Sequence, residues 1–369
     1  QRAKPPYSLE GAEQASASGV VVKVAGPPEA AKPFADYLAR ELSDLRKYLG
    51  IERLPAVFVT QREDIDADQF DRGQLSKAEG FVVRANYTAS DFSRAGFLAW
   101  LIPELIDFRA HGRAALESRR WMLDGLGEFW VRRDHLSEPL AADRDLALRA
   151  LYAAPGGVTE ETLSAWIQTR ERVGEPVAAG LAWSGLKSLA LAAGPPACRR
   201  FLQNQFAGQP PHDVRATWRD WRNPWRRKLP DATGVELAGF LTAWNATLAE
   251  ARTTLAGKLA RVPRLRLTAR QKSITASTTI LTVRLTAQPP PDGIVEYRIR
   301  YLKSRGLDVP FEESKLIDET GRAEFGRAVI RELPASFSRG GRIVIGASMY
   351  SPALGCDVTS GWHRLYIGS

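Results

Sequence analysis

Residues 96–132 contain two apolar segments separated by a short basic stretch, and this pattern constrains how the rest of the chain can fold. In the first segment, apolar side chains recur at three- and four-residue spacings, which is typical of a helix buried on most of its surface. They are Phe97, Leu98, Leu101, Ile102, Leu105, Ile106 and Phe108. Asp91 or Ser93 can cap the start of this helix. We therefore expect two apolar helices around which the N-terminal part is organised.

The first of these helices carries five residues that stand where a metallopeptidase has its H-E-x-x-H motif. In that motif, the histidines at i and i+4 share one helix face and bind one zinc ion, and the glutamate acts on the bound water. Here Glu104 is kept, whereas Pro103 and Asp107 stand at the two histidine positions. The position of the motif is preserved, but its imidazoles are missing.

The second segment, WMLDGLGEFW from Trp121 to Trp130, resembles the W-x-x-E-G-x-A-E-Y segment of gluzincins, the thermolysin-like metallopeptidases. In that family, the glutamate before glycine supplies the third zinc ligand. This chain has Asp124 there, 17 residues after Asp107. Residues 233–237, TGVEL, followed by Trp244, resemble a further motif of the family, T-G-x-x-x-x-x-L…W. The resemblance thus covers residues 18–256.

The ligand chemistry of these positions argues against a working zinc site. A catalytic zinc ion needs three protein ligands and an open position for water. Pro103 offers no ligand atom, and Asp107 and Asp124 reach less far than histidine and glutamate. Two carboxylates without an imidazole suit Ca²⁺ or Mg²⁺ better than zinc. We therefore expect no metal, no other cofactor and no peptidase activity, with Glu104, Asp107 and Asp124 as a vestigial site.

Residues 103–107 alone also fit a simpler interpretation, in which Glu104 and Asp107 are polar positions on an amphipathic helix. Acids left over from a buried site would need partners, because an unpaired buried charge is costly. The candidates are Arg109, Arg113, Arg119 and Arg120, together with His111, one turn after Asp107.

The elements before the first helix follow the order strand, helix, strand, strand, which is the order of the gluzincin catalytic domain. The strands are predicted at residues 19–25, 54–60 and 80–88, and the helix runs from Pro27 to Leu49, where Gly50 ends it. In the family, an edge strand beside the cleft binds the substrate backbone, and by resemblance that edge lies near residues 80–87. The predicted binding residues are Phe81, Val82, Val83, Arg84 and Trp121.

The remaining chain divides into a helical and a strand-rich part. Helices are predicted at residues 143–153, 159–170, 180–193 and 196–206. From Pro263, short alternating strands are predicted at 265–268, 280–285, 295–301, 323–325, 342–345 and 365–367, with turns at 289–293, 320–321, 340–341 and 360–361. The predicted class is α+β. It comprises a flexible lead-in (1–17), an α/β peptidase-like subdomain (18–134), a helical subdomain (135–260) and an antiparallel, immunoglobulin-like β-sandwich (261–369).

The amino-acid composition does not identify the binding partner of the protein. The formal net charge is +9, which favours anionic partners or reflects an arginine-rich composition without a binding role. Residues 215–228 interleave tryptophan with arginine. They can bind nucleic acid or lipid, but Trp218, Trp221 and Trp225 at i, i+3 and i+7 favour the packing of one helix face into the core. The two cysteines, Cys198 and Cys356, are expected to be small residues that are buried or semi-exposed.

The resemblance indicates a catalytically inactive, exported protein of the bacterial envelope that binds peptides or proteins or acts as a scaffold. The chain begins at Gln1 and has no run of about 18 apolar residues. We therefore expect processing or a preceding membrane segment, and a periplasmic or extracellular location. The alternative function is a hydrolase rebuilt around Glu104, Asp107 and Asp124 without a metal. Nucleic-acid binding through residues 215–228 is a third, less favoured hypothesis.

Overall fold

The computed structural model describes residues 12–17, 19–72, 80–109, 119–207, 224–274, 278–290, 296–304, 316–322, 328–334 and 342–366. The chain forms two compact units, each assembled from two segments. The first unit contains the described residues up to Glu138 together with Gly185–Trp244, and the second contains Pro139–Ser184 and Asn245 onward. The division into residues 18–134, 135–260 and 261–369 stays a prediction, and part of the predicted helical subdomain groups with the C-terminal strands.

The first unit contains a small mixed sheet of five strands: β1 (Glu13–Ala17), β2 (Val20–Ala25), β3 (Val57–Gln61), β4 (Asp71–Arg72) and β5 (Phe81–Ala85). Their order is β1-β2-β3-β5-β4. The three predicted strands, β2, β3 and β5, are parallel to one another, whereas β1 and β4 pair antiparallel at the two sides. Residues 13–17, predicted as part of a flexible lead-in, instead form β1 in a hairpin with β2; residues 1–11 lie outside the described residues.

Helix α1 (Pro28–Leu49) confirms the predicted helix. Its apolar stripe is buried, and Gly50 adopts a left-handed conformation with φ of 64° at its end. The Gly50 N–H donates to the carbonyl of Lys47, and the Ile51 N–H donates to the carbonyl of Arg46. These bonds satisfy carbonyls that the helix itself leaves free.

Helices α2 (Arg94–Arg109) and α3 (Arg120–Val131) are the two apolar helices of the central stretch. The Gly96 N–H donates to Ser93 Oγ at 3.0 Å, so Ser93 rather than Asp91 caps α2. The two helices approach closely at Gly127, where an added Cβ would lie 1.8 Å from the carbonyl oxygen of Ala99. The absence of a side chain at Gly127 therefore allows α3 to pack directly on the backbone of α2.

The remaining helices agree with the predicted helical region, with α5 and α6 replacing one predicted helix. They are α4 (Arg144–Ala153), α5 (Glu160–Ser164), α6 (Trp166–Val173), α7 (Glu175–Ala193), α8 (Pro195–Phe206), α9 (Pro224–Thr233) and α10 (Leu237–Leu259). Residues 63–72 form turns and strand β4.

The strands of the second unit form two separate antiparallel sheets. They are β6 (Arg264–Ile274), β7 (Thr278–Gln288), β8 (Glu296–Ser304), β9 (Leu316–Arg322), β10 (Ala328–Pro334), β11 (Arg342–Ser351), β12 (Cys356–Thr359) and β13 (His363–Tyr366). One sheet has the order β10-β7-β6, and the other β12-β11-β8-β9, with β13 also paired to β11. The protein is thus α+β, with a small mixed sheet and separate antiparallel sheets.

The predicted turns of the C-terminal part agree only partly with the structure. Thr320 and Gly321, predicted as a turn, lie inside β9, where they pair with Arg298 and Tyr297. Because both residues continue the ladder with β8, the chain does not turn there. The predicted strand at 323–325 and the predicted turn at 340–341 lie outside the described residues, whereas the predicted turn at 360–361 separates β12 from β13.

Candidate functional site

One arginine joins the two aspartates of the predicted vestigial site. Arg120 Nε donates to Asp124 Oδ1 at 2.8 Å, and Arg120 Nη1 donates to Asp107 Oδ1 at 3.2 Å. Asp107 lies near the end of α2, whereas Arg120 and Asp124 lie one turn apart on α3. The three charged groups therefore join the two helices whose sequences suggested a metal site.

The ion pairs of Arg120 are strengthened because all three side chains are largely buried. The side chains of Asp124, Arg120 and Asp107 are 2%, 13% and 19% exposed. Charge-assisted hydrogen bonds between groups shielded from water are stronger than those between exposed groups. Removing one partner would leave a buried charge without compensation. Arg120 thus supplies the positive charge that Asp107 and Asp124 require.

The residues present do not fit a zinc ion. A cation between Asp107 and Asp124 would meet the guanidinium of Arg120, which already binds one oxygen of each carboxylate. Pro103 lies within α2 and has no ligand atom. Across the described residues, no group of three or more histidine, cysteine, aspartate or glutamate side chains is placed to hold a metal ion.

Glu104 is the retained acid of the motif. Its side chain is half-buried on α2, beside the buried residue Leu105. The acids that Arg120 joins are Asp107 and Asp124. Glu104 therefore stays a predicted vestigial residue.

The other arginines proposed as partners have different roles. Arg109 Nη1 donates to the carbonyl of Phe206 at 3.3 Å, and Arg119 Nη1 donates to the carbonyl of Gln205 at 2.5 Å. These carbonyls belong to the last turn of α8, where a helix presents acceptors and favours cations. Burial lowers the pKa of Arg109 from its usual value. Arg113 and His111 lie outside the described residues.

Trp121, predicted to bind a ligand, is part of the core of the first unit. Its side chain is 0% exposed. Its ring lies 5.4 Å from Trp225, 5.9 Å from Phe240 and 5.7 Å from Trp244, between ring centroids. Trp121 therefore stabilises the packing of α3 against α9 and α10, and a ligand at the surface cannot reach it without displacing this cluster.

The other predicted binding residues, 81–84, lie on strand β5. Phe81, Val82 and Val83 are buried, and Arg84 is half-buried. Strand β4 lies outside β5 and pairs with it through Asp71↔Arg84 and Arg72↔Val83. The last strand of the described sheet on this side is therefore β4, and β5 is an inner strand. Peptide binding by these residues stays a prediction.

The tryptophan- and arginine-rich segment is described only from Pro224. Trp218 and Trp221 lie outside the described residues. Helix α9 begins at Pro224, a residue well suited to the first position of a helix. Trp225 is 1% exposed in the Trp121 cluster, whereas Arg227 and Lys228 are exposed. This part of the segment follows the predicted packing of one face into the core.

One charged residue of the first unit was not anticipated. Lys187 lies on α7 in a segment that reads as an apolar helix, and it is 1% exposed. Its Nζ donates to the carbonyl of His135 at 3.2 Å. A lysine is seldom buried without such partners. A charged residue among apolar ones was the only signal in the sequence, and the acceptor, far away in sequence, could not be inferred from it.

Comparison with known protein families and with curated proteins finds no match for this chain.

Proposed function

We propose that this chain is a catalytically inactive, gluzincin-like protein that binds peptides or proteins, or acts as a scaffold, in the bacterial envelope. The observation that carries the proposal is the bridge from Arg120 to Asp107 and Asp124. In a gluzincin, these two positions would supply metal ligands. Here their charges are compensated by a side chain of the protein itself.

The proposed lack of peptidase activity follows because the guanidinium of Arg120 occupies the place that a zinc ion has in a gluzincin. A zinc peptidase needs a metal-bound water, whose pKa the metal lowers so that it can attack a peptide bond. A guanidinium has no open coordination position and cannot activate water in that way. The arrangement around Arg120 supports a structural role for the old ligand positions, namely joining α2 to α3.

The peptide site of this proposal lies on the sheet of the first unit. An extended peptide can add to an exposed sheet edge through main-chain hydrogen bonds. The position of β4 outside β5 moves the proposed edge from residues 80–87 to Asp71–Arg72. Residues 81–84 then lie behind the peptide and support the edge, rather than contacting the peptide directly.

The strand-rich part of the second unit is included in the proposal as an immunoglobulin-like sandwich. Strand β6 of one sheet lies against β11, β12 and β13 of the other. Modules of that kind bind, space or pack, and their function depends on the site rather than on the fold. None of the described helices is both long and apolar enough to cross a lipid bilayer. The envelope location is part of the proposal.

Calorimetric titration tests the inactive state directly. The full chain is titrated first with zinc and then, in its presence, with peptides selected from a random library, while a fluorogenic peptide mixture reports cleavage. We expect no stoichiometric zinc binding and no cleavage, together with saturable binding of selected peptides. Stoichiometric zinc binding accompanied by peptide turnover would overturn the proposal.

Hydrogen exchange locates the peptide on the sheet. A bound strand should slow the exchange of amides in β4 and β5. The opposite edge strand β1 (Glu13–Ala17) belongs to the same sheet and serves as the internal control. Protection of β1 with no change at β4 would contradict strand addition at the proposed edge.

The alternative, a metal-independent hydrolase, is less favoured by this geometry. Asp107 and Asp124 already accept hydrogen bonds from Arg120, so both carboxylates are engaged in contacts within the protein. Glu104 is the remaining candidate. Any hydrolytic activity found in the chain and left unchanged by Glu104→Gln would rule out this alternative.

A further inference from the structure

The second unit contains a cleft of about 380 Å³ that is unrelated to the vestigial site. Its walls come from the end of α6, the start of α7, and strands β11 and β12 with the turn that follows. The volume falls in the lower part of the range of small-molecule sites. The cleft is large enough for a small organic ligand, whereas a single water occupies only about 30 Å³.

One wall of the cleft is the ring of Trp362. This residue lies in the turn between β12 and β13, both of which pair with β11. A Cβ at Gly346 of β11 would lie 2.7 Å from the ring, so the missing side chain lets the indole lie directly on the strand. Ser360 anchors the turn: its N–H donates to the carbonyl of Ala347 at 2.8 Å, and its Oγ accepts from the Ala347 N–H at 3.0 Å. The aromatic wall is therefore fixed by a rigid sheet.

The polar groups of the cleft come from different elements. Glu171 lies on α6, Ser348 on β11 and Asp357 on β12. Within the part of the chain that the structure describes, no hydrogen bond or ion pair is formed by these three side chains. Arg170 Nη2, also in the cleft, forms an ion pair with Glu175 Oε1 at 2.5 Å. The cleft thus offers two uncommitted carboxylates and a hydroxyl beside an aromatic ring.

Charges of both signs surround this cleft. In addition to the carboxylates of Glu171 and Asp357, the lining contains Arg170 and Glu175, which form an ion pair. A strongly ionised ligand would meet a like charge on one side or the other. A neutral ligand with many hydroxyl groups can donate to carboxylates and accept from guanidinium groups, and its C–H face can pack on an aromatic ring.

We propose that this cleft binds a saccharide, with one sugar ring packed on Trp362 and its hydroxyls hydrogen-bonded to Glu171, Asp357 and Ser348. The assignment goes beyond the proposed peptide-binding function and does not depend on it, because every residue used belongs to the second unit.

Calorimetric titration of the full chain tests the assignment. The probes are glucose, N-acetylglucosamine, cellobiose, maltose and the β-1,4-linked dimer of N-acetylglucosamine. At least one should bind with a dissociation constant of roughly 1 mM or tighter. Asp357→Asn and Glu171→Gln should each weaken that binding by about tenfold, since each removes the charge from a hydrogen-bond acceptor. Glu161→Gln, an exposed change on α5 outside the cleft, is the matched control and should leave binding unchanged.

Trp362→Ala should abolish binding, and Trp362→Phe should keep part of it, because a smaller aromatic wall remains. Circular dichroism of each variant separates loss of binding from loss of fold. Failure of every sugar to bind at about 20 mM, well above the expected constant, would overturn the proposal. So would binding that is insensitive to Asp357→Asn and Glu171→Gln, or a cleft that binds N-acetylarginine amide or N-acetylaspartate amide and no sugar.

Discussion

Gly127 of α3 faces the carbonyl oxygen of Ala99 on α2 so closely that a Cβ on Gly127 would lie only 1.8 Å from that oxygen. The atom it would meet belongs to the backbone, which cannot move aside as a flexible side chain can. The close approach of these two residues brings Asp107 and Asp124 within reach of one arginine, so the packing of the helices and the ion pairs depend on each other.

Gly127→Ala should therefore destabilise the protein by about 3 kcal/mol or more, because the added methyl group forces α3 away from α2. Gly257→Ala is the matched control. Gly257 is also a helical glycine, but it is exposed on α10 and nothing lies within 4 Å of its Cβ position. The free energy of unfolding of Gly257→Ala should rise by about 0.5 kcal/mol, because alanine lowers the entropy of the unfolded chain. Urea unfolding measures both changes, and similar effects in the two variants would contradict the close approach.

Arg120→Met should lower the free energy of unfolding by about 3–5 kcal/mol, because it leaves Asp107 and Asp124 without their compensating charge. Arg132→Met removes the ion pair with Glu128 on the same helix, where the arginine side chain is 31% exposed, and should cost about 1 kcal/mol or less. Adding Asp124→Asn to Arg120→Met should recover part of the loss. Equal losses for the two arginine variants in urea unfolding would show that the buried bridge has no special role.

Restoring the missing ligands should restore zinc binding if the helix pair keeps the metal-site geometry. The variant Pro103→His, Asp107→His, Asp124→Glu and Arg120→Ala supplies the ligand set of the resemblance without the competing guanidinium. At a zinc concentration about 100 times its dissociation constant, it should gain about 2.7 kcal/mol of stability. The wild-type protein should show no zinc-dependent shift in thermal unfolding, and neither should the variant that keeps Arg120. A zinc response of the wild-type protein would count against the degenerate site.

Both thiols should resist modification in the native protein. Burial raises the pKa of Cys198 to about 12 and the pKa of Cys356 to about 11, so neither forms a thiolate near pH 8. A chromogenic disulfide reagent should react with neither thiol until urea unfolds the chain, and then with both. A fast-reacting thiol in the folded protein would show that one of them is accessible.

The raised pKa values of Cys198 and Cys356 also predict how the stability of the protein changes at alkaline pH. The unfolded thiols ionise near their usual pKa of 9.0, whereas the folded ones keep their protons up to about 11 or 12. The folded state therefore binds more protons between these values, and stability should fall as the pH rises above 9. Replacing Cys198 with alanine should reduce that slope, even though the deletion itself has a separate cost.

Helix α1 and strands β2, β3 and β5 were predicted correctly because short-range sequence patterns specify them. Helix α1 follows from its apolar stripe and from Gly50, which takes the left-handed conformation at the helix end. Strands β2, β3 and β5 follow from runs of β-branched residues. In contrast, β4 has only two residues, and it exists because β5 provides a ladder for it. No pattern inside such a short segment can indicate a strand, so the sequence did not predict β4.

The candidate site was predictable in position but not in its contacts. The spacing of Asp107 and Asp124 marked the site, and four arginines were candidate partners. Only the packing of α3 on α2 brings Arg120 to both acids, while Arg109 and Arg119 reach α8 instead. The burial of Trp121 depends on α9 and α10, more than a hundred residues further along the chain. The divisions between the compact units fall inside α7 and α10, where the sequence shows no interruption.

The cation between Asp107 and Asp124 is covalently attached to the chain. A zinc ion can be diluted away or removed by a chelator, but a guanidinium on a neighbouring turn is always present at the same effective concentration. The helix pair therefore assembles to the same extent whether zinc is scarce or plentiful, and chelators should leave its folding unchanged. The ion pairs of Arg120 therefore form an internal cross-link that needs no metal supply.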